Sequence, residues 1–363
     1  MLCGYAFDGK NIVEQGTYLL MRGINITEGI IRHSSELDRY YTGSVNNLAK
    51  YKLTTGDLVI GMDGSKVGRN SAIVSLTENG SYLVQRVCRI KSCIGNDFLL
   101  QLVNNHKFHK YVDMVKTSSA IPHISLKDIQ NFPIAVPSIQ KEADKISKLF
   151  HLLDERIATQ NKIIDKLQSL IKGIVDCTIL RKEKNAIVGD VCSISEQIRA
   201  EANIDDIITV RLHGNGVCKS SADNLQLGAT QYYRRRAGQL IYGKQNFHNG
   251  AIGIVPISLD NGITSKDIPS FDIDEMKCNS VYLLAQLQSP QYYKPAEALT
   301  TGTGSKRLKE ETFLKMPIVL PNKREQDNIA VLIHRASMNL DYAKRLLELL
   351  SIQKQFLLRQ MFI

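Results

Sequence analysis

The segment Gln130-Asn-Phe-Pro-Ile-Ala-Val-Pro137 decides the fold, because it recurs as Leu314-Lys-Met-Pro-Ile-Val-Leu-Pro321 about half of the 363-residue chain later. A second landmark repeats in the same order, since Gly56-Asp-Leu-Val-Ile-Gly61 returns as Gly238-Gln-Leu-Ile-Tyr-Gly243. Self-similarity at one long period is the signature of a duplicated structural unit. The sequence therefore predicts a tandem duplication.

Each copy ends in a long segment whose apolar residues are spaced alternately three and four apart. This heptad spacing predicts a coiled-coil helix, roughly 50 Å long at about 1.5 Å per residue. Such a helix is longer than the diameter of a domain of this size, so its apolar seam needs a partner helix. The helix of the other copy is available, and the chain's path through the second globule requires the two to run antiparallel. The predicted seam consists of Ile146, Phe150, Leu153, Ile157, Ile164, Leu167, Ile329, Ile333, Leu340, Leu347 and Leu350.

Short segments rich in β-branched and aliphatic residues precede each helix and predict strands, Tyr82–Ile90 among them. Residues 99–115 and 281–294 have helical patterns at matching positions. The predicted fold class is α/β (mixed α+β), with two globules, each followed by a long helix, and an antiparallel coiled coil with pseudo-two-fold symmetry. The predicted bounds are 1–137 and 183–321 for the globules, and 138–182 and 322–363 for the helices.

Composition favours a polyanionic partner. The chain has 46 Lys and Arg against 36 Asp and Glu, a formal net charge of +10. Nucleic acid fits this charge first and an anionic membrane surface second. No stretch approaches the roughly 18 to 20 apolar residues of a membrane span, and the first residues lack the apolar core of a signal peptide. Seven scattered cysteines without a CxxC pair predict reduced thiols and no metal site. We therefore expect a cytoplasmic protein.

Basic and amide side chains gather in hairpins of both copies. Arg reads guanine through two hydrogen bonds, and Asn or Gln reads adenine in a similar way. A solvated loop or a simple phosphate contact is the alternative at each position. The candidate DNA-binding residues are Lys66, Arg69 and Asn70 in the first copy, and Arg234, Arg235, Lys244, Gln245, Asn246 and His248 in the second.

A loop rich in hydroxyl and basic groups precedes the duplicated apolar segment in each copy. Such groups suit phosphate binding, which positions a duplex without reading its sequence, although an ordinary loop is equally compatible. Only one residue separates Gly302 from Gly304, whereas a phosphate-binding P-loop needs four, so nucleotide hydrolysis is not predicted. The candidates in these loops are Ser118, Ser119, His123, Thr303, Ser305, Lys306 and Arg307.

With these motifs in order, the sequence resembles the DNA-specificity subunits of type I restriction-modification systems. The resemblance also includes Gly4-Tyr-Ala-Phe7 and Ala120-Ile-Pro-His-Ile-Ser125 and spans nearly the whole chain. It implies that the globules are two target-recognition domains, each reading half of a bipartite, asymmetric site in double-stranded DNA. The long helices would act as conserved spacers and dock two methyltransferase subunits. One departure is a predicted strand over residues 187–194, which has no equivalent in the first copy.

The resemblance implies a recognition subunit without catalysis of its own and without a cofactor in this chain. S-adenosylmethionine, ATP and Mg would belong to the methyltransferase and restriction or translocase subunits. One alternative is a stand-alone DNA-modifying enzyme, either a nuclease or a methyltransferase. The sequence argues against it because it lacks Asp-Pro-Pro-Tyr, Asn-Pro-Pro-Tyr, HExxH and a nucleophile elbow. A second alternative is a coiled-coil adaptor without DNA readout, against which the charge of +10 argues.

Overall fold

The computed structural model describes residues 1–220, 230–302 and 306–362. The chain divides into two compact units. The first comprises Met1–Gln160 and Leu346–Ile363, and the second comprises Asn161–Arg345. Each unit therefore contains one globule and a part of both long helices. The mixed α/β class predicted from the sequence is confirmed.

The first unit begins with ten short strands, followed by three helices and the start of a long one. The strands are β1 Leu2–Cys3, β2 Ile12–Val13, β3 Tyr18–Met21, β4 Ile26–Thr27, β5 Ile30–Ile31, β6 Tyr40–Tyr41, β7 Leu58–Gly61, β8 Ser71–Ile73, β9 Tyr82–Leu83 and β10 Val87–Ile90. The helices are α1 Asn96–Val103, α2 His106–Val115, α3 Leu126–Asn131 and α4 Gln140–Val175, which continues as a π-helical turn over Asp176–Leu180.

The second unit repeats this succession of strands and helices. Its strands are β11 Ala186–Ile187, β12 Cys192–Ile194, β13 Arg199–Ala200, β14 Ile208–Val210, β15 Val217–Lys219, β16 Tyr232–Arg234, β17 Leu240–Tyr242, β18 Ile252–Ile254, β19 Ile263–Ser265, β20 Ser270–Ile273 and β21 Pro317–Ile318. Its helices are α5 Ser280–Leu287, α6 Pro290–Tyr293, α7 Glu310–Leu314 and α8 Lys323–Met361.

The central sheet has the same strand order in both units. It reads β1-β10-β7-β8 in the first and β12-β20-β17-β18 in the second, with every pair antiparallel. The middle strands β7 and β17 are buried along their whole length, as their runs of aliphatic residues require. The other strands differ, because β2-β6-β3-β9 in the first unit contrasts with β13-β16-β19 in the second. The predicted duplication is confirmed, with unlike additions to a shared framework.

Side-chain caps explain where several helices begin. Ser125 accepts a hydrogen bond from the backbone of Asp128, whose carboxylate in turn accepts from Ser125, so a capping box opens α3. The Asn279 side chain caps α5 by accepting from the backbone N–H groups of Val281 and Tyr282. Both regions predicted as single helices are broken, the first between α1 and α2 and the second between α5 and α6. The breaks come where Asn105 and Ser289 start new helices.

Every predicted seam residue of the long helices is buried or half-buried. In the first unit the start of α4 and the end of α8 share one core, where the ring centroids of Phe150 and Phe362 lie 5.8 Å apart. In the second unit Ile179, which follows α4, packs in one core with Ile329 and Ile333 near the start of α8. Each unit thus combines one end of each helix, as an antiparallel pair requires.

Two further features concern the expectations about membranes and metals. Across the described ranges, no helix has both the length and the apolar character needed to cross a membrane. The same ranges contain no group of three or more His, Cys, Asp or Glu side chains that could hold a metal ion. All seven cysteines are free thiols.

Candidate nucleic-acid interface

Three loops meet beside the central sheet of the first unit, and together they are called the first loop cluster: residues 62–70, 84–86 and 116–124. The backbone N–H of Ile124 donates to the carbonyl of Met62 at 3.0 Å, and that of Gly64 donates to Pro122 at 3.0 Å. The N–H of Met62 donates to the carbonyl of Arg86 at 2.9 Å. Main-chain bonds therefore bring together all the candidates predicted in the first copy.

The loop before the duplicated segment is held closed by its own hydrogen bonds. The Nδ1 atom of His123 lies 3.0 Å from the hydroxyl of Thr117, whose N–H donates to the carbonyl of His123 at 3.0 Å. Ser119 donates its hydroxyl to Ile121 at 2.7 Å, while Ser118 is exposed. His123 and Ser119 thus shape the loop, and the exposed Ser118 hydroxyl makes no hydrogen bond to the described residues.

Two predicted cations of the first loop cluster are ion-paired in exposed positions. Lys66 lies 3.1 Å from Glu28, and Arg69 lies 2.6 Å from Asp113. The pKa of Asp113 is lowered, first by a hydrogen bond from Lys116 and then by the charge of Arg69. Exposed ion pairs contribute about 0 to 1 kcal/mol, so exchanging either carboxylate for a DNA phosphate costs little.

The second unit contains a matching arrangement, called the second loop cluster: residues 243–250, 266–268, 300–302 and 306–308. The N–H of Leu308 donates to the carbonyl of Lys244, and the N–H of Lys244 donates to Asp267, both at 2.9 Å. The Arg307 guanidinium lies 3.1 Å from the Asp267 carboxylate, and Lys306 lies 3.5 Å from Glu297. Thr303 and Ser305 lie outside the described residues.

The predicted base-reading residues of the second loop cluster differ in accessibility. The Lys244 ammonium lies 2.7 Å from Glu310, and its side chain is only 13% exposed. Gln245 and Asn246 are exposed, whereas His248 is half-buried beside Asn249. The side-chain amides of Gln245 and Asn246 are therefore accessible to a ligand, whereas the Lys244 ammonium is ion-paired with Glu310.

Arg235 is completely buried, which excludes it from the candidate DNA-binding residues. Its side chain is 0% exposed and donates to Thr264 at 2.7 Å, to Ser270 at 2.9 Å and to the carbonyl of Ile268 at 3.0 Å. Burial lowers the pKa of its guanidinium to about 10. These bonds join the loop after β16 to β19 and β20, and they hold the guanidinium in the interior. The preceding residue, Arg234, is exposed on β16 and remains a candidate.

Arg86 is a candidate that the sequence did not reveal. Residues 82–90 were predicted as one strand, but β9 and β10 belong to different sheets and are separated by a turn at residues 84–86. Arg86 has φ of 69°, a left-handed conformation that is uncommon outside glycine and is enriched at functional sites. Its exposed side chain has no hydrogen bond or ion pair within the part of the chain that the structure describes. In the sequence, the polar pair Gln85-Arg86 inside an apolar run was the feature that could have indicated a turn.

Comparisons with known proteins agree with this architecture. Residues 2–169 match the model of the family described as type I restriction modification DNA specificity domain. The chain is similar to the crystal structure of a type I restriction-modification system S subunit from M. genitalium, with a TM-score of 0.65 and 12% identity over 100% of this chain and 93% of that one. No curated protein matches the sequence.

The chain is also similar to a solved structure that concerns complex assembly and conformational transition of the type I R-M system, with a TM-score of 0.51. The two are 13% identical, over 99% of this chain and 94% of that one. Likeness at such identities shows the fold alone. The family model covers residues 2–169, and the fold along the whole chain is similar to that of a solved type I restriction-modification S subunit.

Proposed function

We propose that the two units read unlike halves of a split DNA target, each through its own loop cluster. The observation that carries this proposal is a shared backbone frame with unlike side chains. Arg86 of the first cluster accepts from Met62 through its carbonyl, and Asp267 of the second accepts from Lys244 in the same way. An exposed cation in one unit thus corresponds to a carboxylate in the other, which favours an asymmetric target.

Within the first loop cluster, Lys66 and Arg69 would exchange their exposed carboxylates for phosphates and set the register of the duplex. Asn70 would read a base edge, because its side-chain amide makes no hydrogen bond to the described residues. In the second loop cluster, the exposed amides of Gln245 and Asn246 would take the reading role. His248 would support that loop, and Arg234, Lys306 and Arg307 would contact phosphates.

The long helices would dock two methyltransferase subunits. Their seam residues are covered, yet in the first unit Leu149 and Leu152 of α4 are exposed, as are Leu349, Ile352 and Phe356 of α8. Apolar side chains three and four residues apart form one face of a helix, and exposed apolar faces mark interaction sites. Catalysis would lie in these partner subunits. S-adenosylmethionine, ATP and Mg would bind there, and the assembly with restriction or translocase subunits would act on DNA in the cytoplasm.

The test is methylation-site sequencing of DNA from cells that express the chain with its cognate methyltransferase. We expect an asymmetric motif in two parts. Gln245→Ala combined with Asn246→Ala should relax one half only, and Asn70→Ala should relax the other. Asn161→Ala, an exposed amide on α4, is the matched control and should leave the motif unchanged. A palindromic wild-type motif, or equal loss in both halves in either variant, would contradict the division.

A further inference from the structure

A hairpin of the second unit, formed by β14 and β15, lies against the second loop cluster. Its two strands pair antiparallel, and the turn between them, residues 211–216, is called the hairpin tip. The N–H of His213 donates to the carbonyl of Asn249 at 2.8 Å, and that of Gly214 donates to Gly250 at 2.9 Å. Main-chain bonds therefore fix the hairpin tip to the first segment of the cluster.

Close packing holds the hairpin in this place. Val210 of β14 is buried in one core with Ile241 of β17. Gly250 has φ of 74°, and a Cβ added there would lie 3.1 Å from the backbone nitrogen of Gly214 and 2.8 Å from the ring of Tyr293. A glycine is therefore required where the hairpin tip approaches the loop, and the fold determines the position of the tip.

The hairpin tip exposes an arginine and a histidine and contains no acidic residue. The Nε atom of Arg211 donates to the Sγ atom of Cys218 at 3.1 Å, and Arg211 forms no ion pair with the described residues. His213 has φ of 60°, a left-handed conformation, and its ring makes no hydrogen bond within the described part of the chain. Both side chains are therefore available to an external ligand.

The three cations predicted from the sequence in the second loop cluster are in a different state. Each lies within 3.5 Å of a carboxylate: Lys244 with Glu310, Arg307 with Asp267, and Lys306 with Glu297. A phosphate that approaches them also meets these carboxylates, which reduces the net attraction. Arg211 is a cation beside the same cluster that a phosphate can bind without displacing an ion pair.

The first unit has a hairpin of opposite charge in a comparable place. There β4 and β5 pack against β8, and the N–H of Gly29 at their turn donates to the carbonyl of Ser71 at 2.8 Å. In the second unit β15 packs against β18, which holds the same position in its central sheet as β8. The turn of the first unit carries Glu28, which lies 3.1 Å from Lys66. The basic character of the hairpin tip is therefore not a requirement of the shared framework.

We propose that the hairpin tip is a phosphate-binding segment, in which Arg211 and His213 bind the DNA backbone beside the half-site that Gln245 and Asn246 read. It rests on the proposed function in one respect, namely that DNA lies along the second loop cluster. Guanidinium and imidazole N–H groups donate to phosphate oxygens, and such contacts position a duplex without reading its sequence. The hairpin tip thus sets affinity for one half of the target, whereas the two amides set its sequence.

The first test is the salt dependence of binding between the full chain and a labelled duplex of random sequence, measured by anisotropy. Arg211→Ala should lower the slope of log K against log salt by about 0.9, because one phosphate contact is lost. Arg211→Lys retains the positive charge and should retain the slope.

Arg324→Ala is the matched control and should leave the slope unchanged. Arg324 is also an exposed arginine without an ion pair to the described residues. Its neighbour Lys323 donates to the carbonyl of Glu275 at 2.8 Å. Glu275 follows β20, whereas residues 266–268 of the loop cluster precede that strand, so Arg324 lies at the end of the sheet remote from the cluster.

The second test separates the side chain of His213 from its backbone. Glycine adopts a φ of 60° without strain, so His213→Gly keeps the loop and removes the imidazole. The affinity for the duplex should fall about two- to tenfold, the effect of one hydrogen bond. Asn261→Gly is the control and should bind like the wild type. Asn261 is exposed with φ of 64° and precedes β19, whereas residues 266–268 of the loop cluster follow that strand.

Methylation-site sequencing with Arg211→Ala distinguishes this proposal from the proposed function. We expect the wild-type motif at lower efficiency, because phosphate contacts carry no sequence information. No binding of the duplex by the wild type, an unchanged slope in Arg211→Ala, equal affinities of the two glycine variants, or a relaxed half-site would each overturn the phosphate-binding tip. None of these outcomes contradicts the division of the target between the units. A palindromic wild-type motif together with a lowered slope would contradict that division and support the phosphate-binding tip.

Discussion

Arg234 is the last residue of β16 and Arg235 follows it, yet Arg234 is exposed and Arg235 is completely buried. Successive side chains of a strand point to opposite faces, and here the two faces differ entirely. The buried guanidinium bonds to the hydroxyls of Thr264 and Ser270, whereas the exposed one has no protein partner among the described residues. The two arginines therefore have different tasks, one in stability and one at the surface.

Replacing Arg235 should destabilise the second unit. Arg235→Ala removes the donor to the hydroxyls of Thr264 and Ser270 and one of two donors to the carbonyl of Ile268, which should cost about 2 to 4 kcal/mol of unfolding free energy. Arg234→Ala is the control and should change it by less than about 0.5 kcal/mol. Urea unfolding of both variants measures the difference. Equal stabilities would mean that the buried network contributes nothing.

Substitutions in the helix seam should lower stability, whereas substitutions on the outer helix surface should weaken partner binding. Phe150 is fully buried against Phe362, so Phe150→Ala should cost about 3 to 5 kcal/mol through lost burial and a cavity. Leu152 is exposed two residues later, so Leu152→Ala should leave the melting temperature nearly unchanged and weaken co-purification of the methyltransferase. A large loss of stability in the Leu152 variant would show that the outer face is part of the core.

His33 should make stability depend on pH. Its ring nitrogens lie 3.0 Å from Asp38 and 3.0 Å from Glu78. Burial lowers the pKa of His33, but hydrogen bonds to Glu78 and Asp38 outweigh it and raise the pKa above 6.5. A raised pKa contributes stability that is complete below 6.5 and is lost as the pH rises through the folded-state pKa. Between pH 6 and pH 8 the wild type should therefore lose more melting temperature than His33→Gln. Parallel losses would rule out a charged His33 bridge.

The cations of the first loop cluster should contribute to the salt dependence of DNA binding. Each phosphate contact adds about 0.9 to the slope of log K against log salt. Lys66→Ala combined with Arg69→Ala should therefore reduce the slope by about 1.8, as measured by anisotropy of labelled DNA with the methyltransferase complex. Lys277→Ala is the control, since Lys277 is likewise exposed and ion-paired, with Asp274. An unchanged slope in the double variant would exclude phosphate contacts at Lys66 and Arg69.

Periodic features of this fold were predictable from the sequence, because they repeat. The seam residues from Ile146 to Leu350 follow heptads, and the duplicated turns place Lys66 and Lys244 at equivalent loops. The burial of Arg235 was not predictable, since it depends on which strands flank β16 across the sheet. The turn at Arg86 contains no glycine or proline, so its apolar neighbours gave the pattern of one continuous strand. Local patterns predict elements, whereas long-range pairing decides which side chains they expose.

Because each unit contains part of both long helices, the order in which the ribosome makes the chain affects when each unit can fold. The core of the first unit includes Leu358 and Phe362, while the second unit is one continuous stretch, Asn161–Arg345. A ribosome that has released residues up to Arg345 has delivered a complete second unit and an incomplete first one. At about 5 to 20 residues per second, the stretch from Asn161 to Arg345 takes roughly 10 to 40 s to make. The earlier half of the gene therefore encodes the half of the protein that closes last, and its exposed apolar surface must wait for the final helical turns.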